Sequence, residues 1–225
     1  MNNKAFMFEN RVDAGRKLAE ELQKEFKSEP VVVLAIPNGG VPVAFEIASA
    51  LSKADLSLII SRKIPVPLNP EAGLGAIADD GTVFVDEETM KRFGLSRQQI
   101  EPEVNRVRAE LKKRHIQYYK ERPLASVVKK TVIIVDDGIA AGFTMRAAVE
   151  SIRHRRPGKV IAAVPVASGN ALRQVENVAD KVVCCAIGEA TKFFIADFYR
   201  QWYDVSDDDV MRYLGKWRTR KFHHD

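Results

Sequence analysis

Val132-Ile133-Ile134-Val135-Asp136-Asp137-Gly138-Ile139-Ala140-Ala141-Gly142-Phe143-Thr144 is the stretch that decides how this chain folds. Four apolar, mostly β-branched residues make a run suited to a strand buried on both faces. The run ends in two adjacent carboxylates, Asp136 and Asp137, and a small-residue loop leads to Thr144, where a helix opens. Carboxylates held at a strand end can accept hydrogen bonds from vicinal hydroxyls. A loop of small residues lets backbone N–H groups close around a phosphate at a helix N-terminus, where the helix dipole favours negative charge. The combination reads as a grip for a phosphorylated sugar, with both carboxylates at a solvent-facing strand end.

Outward from this stretch, short apolar runs alternate with amphipathic ones. Asn10-Arg11-Val12-Asp13 starts a helix carried on by Val12, Gly15, Leu18, Ala19, Leu22 and Phe26 at helical spacing. Residues 31–36 are a buried strand that ends in Pro37-Asn38-Gly39-Gly40, and 41–51 a helix with Pro42 in its first turn. Residues 56–61 are a second strand, ending at Arg62-Lys63. A Pro-rich loop over 64–72 follows, and Asp80-Gly81 marks a hairpin turn. After the central loop, a helix to about residue 155, a strand at 160–166, a helix near 171–178 and a strand at 181–187 complete the alternation. This predicts an α/β fold: a doubly wound, mostly parallel sheet with helices on both faces. Ligands in such sheets sit at the carboxyl ends of the strands, where all three loops of interest emerge.

The 225 residues suit a single domain over 1–225 with a sizeable core. Residues 86–122 differ in character. Ser96-Arg97-Gln98-Gln99 looks like a capping box, and Ile100, Val104, Val107 and Leu111 form one apolar stripe on a charged helix. They read as a helical insertion covering an edge of the core or meeting another subunit. Cys184 and Cys185, adjacent in an apolar run, are small core residues, and His223-His224 a frayed tail. No apolar run approaches membrane-spanning length and Met1-Asn2-Asn3-Lys4 lacks a signal pattern, which predicts a cytoplasmic protein that meets no membrane. With 35 basic and 30 acidic residues the formal charge is +5, gathered at 106–122, 153–159 and 212–221. Such clusters are first of all solvated faces; contacts between copies, or a nucleic-acid surface, are the alternatives.

The central stretch resembles the signature of the type I phosphoribosyltransferases, which use 5-phosphoribosyl-1-pyrophosphate (PRPP). The resemblance covers residues 31–187 apart from the insertion. It implies that Asp136 and Asp137 hold the ribose hydroxyls. Ala140, Ala141, Gly142, Phe143 and Thr144 then wrap the 5′-phosphate. Asn38, Gly39 and Gly40 resemble the family's pyrophosphate loop, although Asn38 stands where many relatives carry a basic residue. Arg62 and Lys63 fall where the family places a basic group near pyrophosphate, so with Asp136 and Asp137 they are the candidate catalytic residues. Residues 64–75 correspond to a flexible loop that closes over substrate, and Glu71 within it is a candidate acid/base. Mg2+ is implied, carried mainly by PRPP, with no dedicated protein metal site.

The implied reaction forms an N-glycosidic bond between PRPP and a nucleobase or related acceptor, releasing pyrophosphate. The acceptor itself is unidentified. Ala140 occupies a loop position that is acidic in 6-oxopurine enzymes, which argues against a hypoxanthine–guanine site. The N-terminal helix, the 86–122 insertion or a C-terminal segment over 188–225 could build a small hood over the acceptor. There Phe193, Phe194, Tyr199, Trp202 and Tyr203 either stack a base or pack the segment onto the core. A homo-oligomer is the expected assembly. A PRPP-binding regulator that touches nucleic acid or protein without catalysis is the alternative reading. Phe8-Glu9-Asn10-Arg11, Ala14-Gly15, Arg62-Lys63-Ile64-Pro65, Asn69-Pro70-Glu71 and Gly75-Ala76 further resemble a subgroup of uncharacterised members.

Overall fold

The computed structural model describes residues 7–119, 125–189 and 192–221. His223-His224 and the ends of the expected insertion and C-terminal segment lie outside them. Helix α1 (Arg11–Phe26) is capped by Asn10, whose side-chain oxygen accepts from the Val12 and Asp13 amides. Strand β1 (Val31–Ala35) and helix α2 (Gly40–Ala50) follow, then β2 (Ala54–Leu58), β3 (Ser61–Val66), β4 (Asn69–Ala78) and β5 (Val83–Val85). Helices α3 (Glu87–Arg92) and α4 (Arg97–Tyr119) come next. The remainder is β6 (Thr131–Val135), α5 (Phe143–His154), β7 (Lys159–Ser168), α6 (Gly169–Glu176), β8 (Lys181–Gly188), a 3-10 turn (Ile195–Phe198) and α7 (Asp207–Lys221).

Five strands form a parallel sheet in the order β2-β1-β6-β7-β8. Connections run one way from β1 and the other way from β6, so the chain reverses direction of travel between these neighbours. Both are buried along their whole length and alternate side chains between two layers. Val33 and Ile133 face a core shared with α1, α2, α4 and α7, whereas Leu34 and Ile134 face α5 and α6. The loops after β1 and β6 part at that reversal, the place where an open α/β sheet offers a crevice.

Two sequence expectations are corrected. Residues 64–75 are not a loop: β3 and β4 form an antiparallel hairpin, extended by β5 around the Asp80-Gly81 turn. Pro65 lacks an amide to give to the ladder, and the register shifts on either side of it, so the strand absorbs the proline as an irregularity. Ile64, Leu74, Ala76 and Ile77 are buried, and their burial holds the hairpin where composition suggested a loop. Arg62 and Lys63 therefore sit within β3, not beyond a strand end.

The capping box at the start of α4 closes reciprocally: the Ser96 amide donates to Gln99 Oε1 at 2.8 Å, and the Gln99 amide to Ser96 Oγ at 3.4 Å. Ile100, Val107 and Leu111 join the main core, so α4 covers part of it, running beside β3 and β4. At the other end Phe45 of α2 meets Tyr213 and Trp217 of α7 edge-on, with centroids 5.2 and 6.3 Å apart. Cys184 and Cys185 are half-buried in β8, and burial raises both thiols, Cys185 to about 11, so neither is a thiolate nucleophile at neutral pH.

Candidate functional site

The β1 and β6 loops interlock through their glycines. A Cβ on Gly39 would lie 2.0 Å from Asp137 Oδ2, and one on Gly40 2.6 Å from the Val135 carbonyl oxygen. Only glycine lets these backbones approach so closely. The Pro37–Asn38 peptide is cis. Past β6, the Ile139 amide donates to the Val166 carbonyl at 2.8 Å, and Ser168 Oγ donates to the Ala140 carbonyl, also at 2.8 Å, which ties the loop to β7.

Gly142 takes a left-handed conformation (φ +83°) and α5 begins after it with no side-chain cap and no acid in the first turn. The first bond back to the loop is from the Arg146 amide to the Gly142 carbonyl, so the Phe143, Thr144 and Met145 amides precede the helical ladder. Ala140 and Ala141 are exposed, while Phe143 turns its ring inward against Phe84 of β5, 5.7 Å between centroids. Phe143 thus gives the loop its backbone, and its side chain belongs to the hairpin.

Asp136 and Asp137 part company. Asp136 lines a cleft of about 340 Å³ with Ile36, Pro37, Asn38, Ser61, Arg62, Lys63, Arg114 and Thr144. Asp136 Oδ1 also accepts the Asp137 amide at 2.8 Å. Its carboxyl is pushed well above the ordinary carboxyl range, by burial first and then by the charge of Asp137. Asp137 is not solvent-facing as expected: its Oδ2 accepts from Arg11 Nε at 2.8 Å, with Arg11 3% exposed. Tyr199 donates its hydroxyl to the Asp137 carbonyl at 2.6 Å. Arg11 also gives Nη1 to the Tyr203 carbonyl and stacks 3.8 Å from the Trp202 ring centre. Of the expected aromatic hood, Tyr199 is buried, Phe193 packs on Phe198, and Trp202 covers Arg11. Phe194 and Tyr203 stay exposed.

The Asn38 side chain is fully occupied within the protein. Its amide nitrogen donates to the Val205 carbonyl (2.8 Å) and Asp207 Oδ1 (2.9 Å), and its oxygen accepts from Arg114 Nη1 (2.6 Å) and the Tyr118 hydroxyl (3.1 Å). Tyr118 also donates to Asp207 Oδ1. Arg62 Nε is 3.6 Å from Glu110, and Lys63 donates to the Pro70 and Glu71 carbonyls at 3.0 Å each. Glu71 is exposed. The Ser61 hydroxyl is buried beside the cleft with no partner among the described residues.

The match to the phosphoribosyl transferase domain family runs over residues 7–201. This chain belongs to the phosphoribosyltransferase family. It is 35% identical over 210 residues to the Mycobacterium tuberculosis protein named Putative phosphoribosyl transferase Rv0571c, covering 93% of this chain and 47% of that protein. The chain therefore spans about half the length of the curated relatives it matches. The crystal structure of TT1426 from Thermus thermophilus superposes with a TM-score of 0.75 at 34% identity, over 93% of this chain and 98% of that one. A hypoxanthine-guanine phosphoribosyltransferase (hpt-2) from Bacillus anthracis shares the fold, with a TM-score of 0.50 at 14% identity over 89% of this chain and 93% of that one.

Three residues of this family member's cleft and its support escaped the sequence reading: Arg11, Ser61 and Arg114. Two of them carried a signal. Arg11 lies on the same helical face as Gly15, Leu18 and Leu22, and Arg114 continues the stripe of Val107 and Leu111. A charge in core-facing register implies a buried partner or a site. No such signal marked Ser61. Among the described residues no three His, Cys, Asp or Glu side chains gather as a metal site. Among the described residues, Asp136 is the one carboxylate lining the cleft. A magnesium ion held mainly by a ligand's own phosphates fits such a donor set, because Mg2+ is commonly bound by one or two carboxylates plus substrate oxygens.

Proposed function

We propose that this chain transfers the phosphoribosyl group of PRPP to a nucleophilic acceptor with loss of pyrophosphate. The observation that carries this reading is the convergence, at the sheet's reversal point, of an uncapped helix N-terminus, a cleft-lining carboxylate and a cluster of cations. The α5 amides and Thr144 receive the 5′-phosphate at the positive end of the helix dipole. Asp136 accepts the ribose hydroxyls, and Asp137, anchored by Arg11, fixes it from beneath. This reading moves direct contact from both carboxylates to Asp136. The backbone of Gly39 and Gly40, with Arg62, faces the leaving pyrophosphate, while Lys63 steadies the hairpin above it.

The bond from ribose C1 to the pyrophosphate oxygen breaks as the acceptor's lone pair attacks from the opposite face. Positive charge develops on the ring and negative charge on the leaving group, so catalysis is positional and electrostatic. Magnesium, where PRPP carries it, would neutralise pyrophosphate charge, and Asp136 is the side chain placed to hold it. Calorimetric titration with PRPP and Mg2+, followed by assay of pyrophosphate release across a panel of nucleobases and amines, tests the proposal. Binding with acceptor-dependent release is the expected result. Saturable binding without release supports a PRPP-binding regulator instead, and absence of binding refutes both.

A further inference from the structure

Every polar atom of the Asn38 side chain is occupied within the protein. One occupant is itself a cation. Arg114 reaches from α4 and sets Nη1 2.6 Å from the Asn38 oxygen and 3.1 Å from the Tyr118 hydroxyl, with Asp207 at 3.5 Å. These contacts use one nitrogen of the guanidinium. Among the described residues, Nε and Nη2 have no partner, and the side chain lines the cleft beside Arg62, Lys63 and Asp136. A guanidinium fixed at one corner with two donors left over is a preorganised fork for phosphate oxygens.

A second observation points the same way. Arg62 also lies in this cleft, and its pKa is lowered, first by burial and then by the charge of Arg114. Glu110, 3.6 Å away, offsets this only in part. Two guanidiniums close enough to disfavour one another are a costly arrangement unless an anion joins them. Asp207, the nearest acid to Arg114, already accepts from Asn38 and Tyr118.

We infer that Arg114, delivered by the helical insertion, grips the pyrophosphate of PRPP. This rests on the phosphoribosyl-transfer reading and deepens it: the insertion that covers the core also completes the leaving-group subsite. Asn38 then serves as the bracket that aims Arg114, with Tyr118 and Asp207 bracing both.

The test separates the two halves of the ligand. Wild type, Arg114→Gln and Arg114→Lys are titrated with PRPP, ribose 5-phosphate and inorganic pyrophosphate, each with Mg2+. The expected outcome is that Arg114→Gln weakens PRPP and pyrophosphate at least tenfold but ribose 5-phosphate less than twofold. Arg114→Lys should recover part of the loss, because it restores charge without the fork. A purely structural role would weaken all three ligands together or none, and either pattern overturns the inference. If Arg114→Gln does not fold, the lysine variant decides alone, through a selective loss for the two pyrophosphate-bearing ligands. Failure of wild type to bind ribose 5-phosphate would instead strike the underlying ribose-phosphate reading.

Discussion

Replacing Arg11 by methionine keeps the bulk of the side chain and removes the only charge facing Asp137 from α1. The side chains of the pair are 4% and 12% exposed, so water replaces little of the lost attraction. Breaking a buried pair from one side typically costs ~3–5 kcal/mol, because the remaining charge is left without compensation. The methionine also forfeits the donor to the Tyr203 carbonyl and the stacking on Trp202. With a urea m-value of ~2 kcal/mol/M, a 3–5 kcal/mol loss lowers the unfolding midpoint by roughly 1.5–2.5 M. Asp137→Asn preserves shape in the tight space above Gly39 but strands the Arg11 cation, so it too should destabilise. Combining the two should cost less than the sum of the single changes by at least ~1.5 kcal/mol. Urea unfolding of the four proteins, followed by tryptophan fluorescence, measures that coupling. If Arg11→Met costs under ~1 kcal/mol, or the two changes add within ~0.5 kcal/mol, the pair does not anchor the β6 loop and the reasoning fails.

Asp136→Asn should reduce PRPP affinity at least tenfold, about 1.4 kcal/mol, with no loss of stability, since its burial already disfavours the charged form; calorimetry and urea melts check the two halves. Thr144→Val should weaken binding less than Asp136→Asn, because the α5 amides remain; an equal loss would assign the phosphate site to the hydroxyl. Gly40→Ala should cost ~1–3 kcal/mol or disorder the loop, as its Cβ would meet the Val135 carbonyl at 2.6 Å, and thermal unfolding reads the loss. Asp79, whose side chain is 1% exposed, has its carboxyl raised by burial despite Arg155 at 3.7 Å and His115 at 3.4 Å. A raised carboxyl favours folding in its protonated form, and that contribution is lost as pH climbs through the folded pKa. Asp79→Asn should therefore gain on the parent as pH rises from about 4, visible in urea midpoints; a pH-independent difference would contradict it.

The parallel sheet was legible because 31–36 and 132–135 are short, β-branched-rich and apolar without interruption, which suits strands covered on both faces. The loop glycines were legible in position, but their cause was not: Gly39 is dictated by Asp137, almost a hundred residues away in sequence. The hairpin over 61–78 was misread because prolines and glycines signal loops locally, while burial of Leu74 and Ile77 under neighbouring elements decides otherwise. Asp136 and Asp137 look equivalent in sequence, and what separates them is Arg11, a tertiary partner that no local pattern ties to them. The Asn38–Arg114–Tyr118–Asp207 cluster joins residues from three distant segments, so its parts were visible only as an odd asparagine and a charge on an apolar stripe.

Phe143 couples the hairpin to the start of α5. Its backbone opens α5 while its ring sits against Phe84, and Arg146 one turn on lies 3.9 Å from the centre of that same Phe84 ring. The hairpin is therefore no interchangeable module. A chimaera that swaps residues 61–85 for a homologous segment inherits a new floor beneath position 143, and the helix start shifts with it. Hairpin and residues 143–146 should be transplanted as one cassette, and libraries that vary the hairpin to change what the cleft admits should hold position 84 aromatic.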